Sequence, residues 1–154
     1  MFGHSLGGVT TASAMYEDQR IMAGLSIDGD VTGPVVTAGL DRPYLLMDLD
    51  RTSRRKLPEL ETFWTHLRGR RLNLATRGAA HISLCDLEVL LPQAAPLFGW
   101  TPAQLTDQIG TLAPQRATAV QRAYPTAFFD LTLRHRGHLL DEPSRRFPDV
   151  VFIP

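Results

Sequence analysis

Gly3-His4-Ser5-Leu6-Gly7-Gly8, running on into Val9-Thr10-Thr11-Ala12-Ser13-Ala14-Met15-Tyr16, is the stretch that decides how the rest of this chain is read. Its first five residues have the form G-x-S-x-G. Between a strand and a helix that form is a nucleophile elbow, a sharp strained turn with a serine at its tip. Gly3 and Gly7 flank the serine where side chains are expected to collide as strand and helix close on each other. The pentapeptide alone arises by chance in roughly one chain in twenty of this length, so its surroundings must decide. Small and apolar residues from Val9 to Tyr16 suit a buried helix, and Asp18 and Arg20 make a polar turn. Ile21-Met22-Ala23-Gly24-Leu25-Ser26-Ile27 then reads as a buried parallel strand.

Further along, Tyr44-Leu45-Leu46-Met47 reads as a second buried strand, started by Pro43 and stopped by Asp48. Leu60, Phe63, Trp64 and Leu67 share one helical face between Pro58 and Arg68, with Pro58 in the first turn and Gly69 as the stop. Arg71-Leu72-Asn73-Leu74-Ala75 alternates as a third strand and leads into the loop Arg77-Gly78-Ala79-Ala80-His81. Shorter helices are expected around Leu84 to Leu91 and Pro102 to Ile109. A longer one, Pro114 to Arg134, is expected to bend or break at Pro125. Strands alternating with helices give an α/β fold with a parallel sheet and flanking helices. The strand that feeds the elbow is almost absent, so the chain reads as one partial α/β-hydrolase domain, residues 1–154, the carboxy-terminal half of the fold. Its first strand is an open apolar edge, which invites pairing with another chain, self-association included.

The chain has 154 residues, 44% hydrophobic and 21% charged, with sixteen basic residues balanced by sixteen acidic ones. This balance argues against a nucleic-acid surface. The basic stretch Arg51-Thr52-Ser53-Arg54-Arg55-Lys56 is expected to be a solvated loop. Cys85 is alone, so there is no internal disulfide, and no apolar run approaches the ~18 residues of a membrane span.

A serine hydroxyl needs a histidine to take its proton and a carboxylate to orient that histidine. In elbow architectures the chain order is serine, acid, histidine. Ser5 comes first, and His81, in a loop after the last strand, is the candidate base. Three aspartates stand at strand ends as candidate acids: Asp28, Asp48 and Asp50. The backbone N–H of Leu6, next after the serine, is one expected oxyanion donor; the other normally comes from a loop after an early strand, not found in this sequence.

The segments Gly3 to Gly8, Glu17-Asp18-Gln19-Arg20, Gly24 to Gly29, Gly78-Ala79-Ala80-His81 with Asp86, Arg122-Ala123-Tyr124 and Ala127-Phe128-Phe129-Asp130 together resemble the platelet-activating-factor acetylhydrolases of the plasma and intracellular type II kind. Their bacterial α/β-hydrolase relatives look closest, and the resemblance covers nearly the whole chain. It implies that the acid follows the strand after the elbow helix, which is Asp28. Ser5, Asp28 and His81 then become nucleophile, orienting acid and general base. Asp50 is the reserve acid, because bacterial lipases and cutinase-like esterases use the later strand end.

The expected activity is cleavage of a carboxylic ester, a short-acyl ester or a phospholipid acetyl ester, through an acyl-enzyme with no cofactor and no metal. The alternatives are a lipase- or cutinase-like esterase using Asp50, and a non-catalytic remnant that keeps the triad letters. Cys85 reads as buried filler, and His135, His138 and Asp141 match no strong metal-ligand spacing. His4 and His66 read as structural or exposed. Phe98, Trp100, Phe128 and Phe129 read as core, with Leu97 to Trp100 a candidate rim of the acyl pocket.

Overall fold

The computed structural model describes residues 1–49 and 54–154. Strands β1 (Phe2–His4), β2 (Gly24–Ile27), β3 (Tyr44–Leu49), β4 (Arg71–Thr76) and β5 (Val150–Phe152) lie side by side in chain order in a 5-stranded sheet. β1 to β4 run parallel, and β5 closes the far edge antiparallel to β4. Helices α1 (Leu6–Glu17), α2 (Val35–Ala38) and α3 (Pro58–His66) cover one face. Helices α4 (Leu87–Ala94) and α5 (Pro102–Ile109) follow the last parallel strand, and the long α6 (Pro114–Arg134) covers the other face.

β3 shows why these layers form. Every residue in it is buried, and its side chains alternate between the faces. Tyr44 and Leu46 pack with Ala12, Met15, Leu60 and Phe63 of α1 and α3. Leu45, Met47 and Leu49 pack with Ala117, Val120, Tyr124 and Phe128 of α6. A strand buried on both faces should read as an apolar run rather than an alternating one, and five of the six residues of β3 are apolar, Asp48 excepted.

The elbow lies where β1 passes into α1. Ser5 has φ 56°, a left-handed conformation that costs a non-glycine residue on the order of 1–3 kcal/mol. Its N–H donates to Ile27 O at 2.9 Å, and its own carbonyl accepts from Gly8 N–H at 2.8 Å. The expected crowding is present at Gly3, where a Cβ would stand 2.3 Å from the Gly7 carbonyl carbon. At Gly7 it is not: a Cβ there meets nothing within 4 Å. The second close approach is at Gly8 instead, whose Cβ would meet Ser26 Oγ at 2.1 Å. Both contacts press the start of α1 against the sheet. The other end of α1 is held by buried Arg42, which donates to Met15 O at 2.6 Å, Ile21 O at 3.0 Å and Asp18 O at 3.1 Å. It satisfies carbonyls that a helix terminus leaves open.

Several sequence expectations are corrected. β2 starts at Gly24, because Ile21 N–H turns back to Asp18 O and Met22 is exposed. Asp48 does not stop β3 but lies inside it, buried. The helix expected from Leu84 begins at Leu87, after turns that present His81. α6 runs through Pro125 as one helix. Burial of Tyr124, Pro125 and Phe128 offsets the ~3 kcal/mol that an interior proline costs. Arg54 is not solvated: it is 2% exposed, with Nε donating to Asn73 Oδ1 at 3.2 Å, an ion pair to Glu61, and its guanidinium 4.3 Å from the Trp64 ring. β5 and α2 had no clear sequence signal.

The two glycines after the serine should respond differently to the same change. Gly8→Ala should destabilise the protein by about 1–3 kcal/mol, because Ser26 and Gly29 leave no room for a methyl. Gly7→Ala should be neutral, or stabilising by about 0.5–1 kcal/mol from helix propensity. Denaturant unfolding of the two variants measures this, and equal losses at both would contradict the crowding described here.

Candidate active site

The carboxyl ends of the parallel strands, where α/β sheets bind ligands, carry Ser5, Asp28 and, on the loop after β4, His81. Register brings them level. Ile27 pairs with His4 on one side and Met47 on the other, so Ser5 and Asp28 each stand one residue beyond a paired position. Asp28 N–H donates to Met47 O at 2.9 Å, and Asp28 has φ 45°, turning its carboxylate off the strand line. His81 arrives from the far side, on the loop after β4. That loop is latched at its base: Ser83 Oγ accepts from Ala80 N–H at 2.7 Å and donates to Ile109 O at 2.6 Å. Gly78 O accepts from Thr111 and Leu112 N–H at 2.7 and 3.0 Å.

These elements bring Ser5, His81 and Asp28 together. His81 Nδ1 lies 2.5 Å from Asp28 Oδ2, and His81 Nε2 lies 3.0 Å from Ser5 Oγ. With the Asp28 carboxylate accepting, Nδ1 carries the proton and Nε2 is left to accept from the serine hydroxyl. The imidazole is about half exposed, whereas the Asp28 side chain is 11% exposed. The imidazole is thus open to solvent, and the carboxylate beside it is shielded. Leu6 N–H opens α1 directly after Ser5, among the helix-start donors that have no partner within their own helix. Such an arrangement can deprotonate an alcohol for attack and steady negative charge at a helix N-terminus.

Asp48, another of the three candidate acids, has a different setting. It faces the α3 side of the sheet, accepting from Asn73 Nδ2 at 2.8 Å. Burial pushes its carboxyl up to about 6, with the neighbouring Asp28 adding to the rise while Asn73 and Arg54 oppose it. The sequence reading also missed Glu88 on α4. It is 1% exposed, and burial pushes its carboxyl up to about 7 against the opposing effect of the neighbouring Ser83 hydroxyl.

Other candidates fall away from the centre. Asp50 lies outside the described residues. Cys85 Sγ donates to Ile82 O at 3.2 Å, back along its own turn. His138 Nδ1 and Asp141 Oδ2 pair with each other at 3.0 Å, and among the described residues no group of three or more His, Cys, Asp or Glu converges on a metal position. The expectation that Phe98 is core is corrected: it is 61% exposed, and Leu97 is 85% exposed. A short 3-10 helix over Ala95–Phe98, ended by left-handed Gly99, turns both side chains outward. A cavity of about 600 Å³ beside β1 is walled by Phe2, Ile27, Asp86, Arg122, Phe129 and Asp130, not by Ser5 or His81. No described helix is long and apolar enough to cross a membrane.

The two raised carboxyls set a pH dependence. Each binds its proton more tightly folded than unfolded, so their stabilising effect is complete below about pH 4. It is lost as pH rises through about 6 for Asp48 and about 7 for Glu88. Glu88→Gln should therefore melt about 2–4 °C above the unmodified protein at pH 8, with little difference at pH 5. Thermal unfolding at both pH values checks this, and an equal shift at the two would contradict a buried, titrating Glu88.

No family model matches the chain. It is 27% identical over 164 residues to a probable 1-alkyl-2-acetylglycerophosphocholine esterase of Arthroderma benhamiae, a match covering 99% of this chain and 42% of that protein. Its structure matches the ferulic acid esterase from Streptomyces cinnamoneus with a TM-score of 0.84 and 35% identity, over 99% of this chain and 46% of that one. The chain thus spans less than half the length of either relative. The architecture is of the α/β-hydrolase type, and the resemblance read from the residues meets an acetylglycerophosphocholine esterase in the first of these relatives.

Proposed function

We propose that this chain carries the reaction centre of a serine carboxylic-ester hydrolase, with Ser5 as nucleophile, His81 as general base and Asp28 as the acid that orients it. The observation that carries the reading is the continuous line of hydrogen bonds from Asp28 through both ring nitrogens of His81 to Ser5 Oγ. His81 Nε2 takes the hydroxyl proton as Ser5 Oγ attacks the ester carbonyl. Asp28 holds the opposite nitrogen and stabilises the imidazolium that results. The tetrahedral oxyanion is met by Leu6 N–H at the start of α1. Collapse transfers the proton to the departing alcohol and leaves an acyl-serine. His81 then deprotonates water, which releases the acid and restores Ser5.

The esters to try first are those of the two relatives: an acetyl ester at the 2-position of an alkyl glycerophosphocholine, and an ester of ferulic acid. Both relatives are esterases by name, which does not favour the reading of a non-catalytic remnant. The line from His81 to Asp28 favours Asp28 over the reserve acid Asp50.

Hydrolysis of p-nitrophenyl acetate, methyl ferulate and a 1-alkyl-2-acetylglycerophosphocholine measures the proposal. Ser5→Ala should lower kcat to background, and Asp28→Asn should lower it by about 10³- to 10⁴-fold. Asp50→Asn should stay near the unmodified rate. Activity that survives Ser5→Ala would remove the serine mechanism. A loss at Asp50 without one at Asp28 would transfer the acid's role to the later strand end.

A further inference from the structure

We infer that His4 is a positioning residue for the general base, fixing the main chain of His81 directly from the residue that precedes the nucleophile; this rests on the reading of Ser5 and His81 given above. His4 closes β1 and is bonded covalently to Ser5. Its Nε2 lies 2.6 Å from the backbone oxygen of His81, and the two rings pack with centroids 4.7 Å apart at 39°. A carbonyl oxygen only accepts, so His4 Nε2 must donate.

The consequence lies in where the loop is otherwise held. Its latches, through Gly78, Ala80 and Ser83, reach toward Ile109, Thr111 and Leu112, at the end of α5 and the approach to α6. They fix the base of the loop to the segment between α5 and α6. On the serine side, His4 holds the main chain at the base itself. His81 is therefore gripped at two levels: its ring by Asp28 and Ser5, its backbone by His4. The reach from Ser5 to Nε2 is then set within one strand end, rather than through the intervening strands of the sheet. A misplacement near 1 Å between reacting groups can cost about 100-fold in rate, which makes a direct tether at this point consequential. The other side chain of the elbow pair, Leu6, is 75% exposed and offers no such grip.

The test compares His4→Ala with His4→Gln, whose side-chain amide restores a donor at similar reach. Ester hydrolysis should show kcat reduced about 10- to 100-fold in His4→Ala at nearly unchanged KM, and His4→Gln should recover to within about threefold of the unmodified protein. A second readout needs no turnover. The His81 Nδ1 proton should give a low-field NMR resonance, assigned by its loss in Asp28→Asn. It should persist in His4→Gln and be broadened or lost in His4→Ala. Full kcat and an unchanged resonance in His4→Ala would overturn the inference. So would a His4→Gln variant as impaired as His4→Ala, since the ring rather than the donor would then matter. If no ester is turned over by the unmodified protein, the hydrolase reading fails, and the resonance alone still decides the role of His4.

Discussion

The close crossing of β1 and α1 is the constraint on which the rest of the molecule depends. Gly3 lies so near the Gly7 backbone, and Gly8 so near Ser26 and Gly29, that no side chain fits at either position. The strand can therefore turn into the helix within a single residue, and that residue, Ser5, takes a left-handed conformation. A strained turn persists only when its surroundings over-determine it. Here they do so from three directions: the glycine contacts at the start of α1, the Ser5 N–H bond to β2, and the Arg42 clamp on Met15 O and on the turn that follows α1.

From that point the sheet acts as a ruler. Parallel register sets Asp28 level with the serine, and burial of β3 on both faces fixes that register, since a one-residue slip would turn Asp48 toward α6 and Leu45 toward α3. Behind the acid, Asn73 and buried Arg54 surround Asp48, and Arg54 and Arg71 stack on Trp64. The polar contacts that would otherwise be costly inside the sheet are thereby mutually satisfied. Of the three residues in the line, His81 is the one that does not follow directly on a strand. It comes from a loop, which is why its tethers carry so much of the geometry.

The sequence made the elbow, the parallel strands and the line from serine to histidine legible, for physical reasons. Gly3, the apolar runs at Leu25 and Tyr44, and the helical face of Leu60 and Phe63 are local patterns with a single good solution. What it did not show depends on partners distant in the chain. Arg54 reads as part of a charged loop until Glu61, Asn73 and Trp64 surround it. Gly7 reads as sterically required until the open space beside it is seen. β5 is three residues in an Arg- and Pro-containing tail, too short for a periodic signal, and it forms because β4 offers an edge. Only the resemblance singles out Asp28 among Asp28, Asp48 and Asp50, because a strand-end aspartate carries no mark of which histidine it will meet.

The most direct test is covalent. The folded chain treated with a fluorophosphonate should gain one adduct, mapped by peptide mass spectrometry to Ser5. Replacing His81 by Gln should slow its formation by orders of magnitude without unfolding the protein. An adduct at another residue, or a folded protein whose Ser5 reacts no faster than Ser144, which is likewise half-buried, would contradict an activated serine at the elbow.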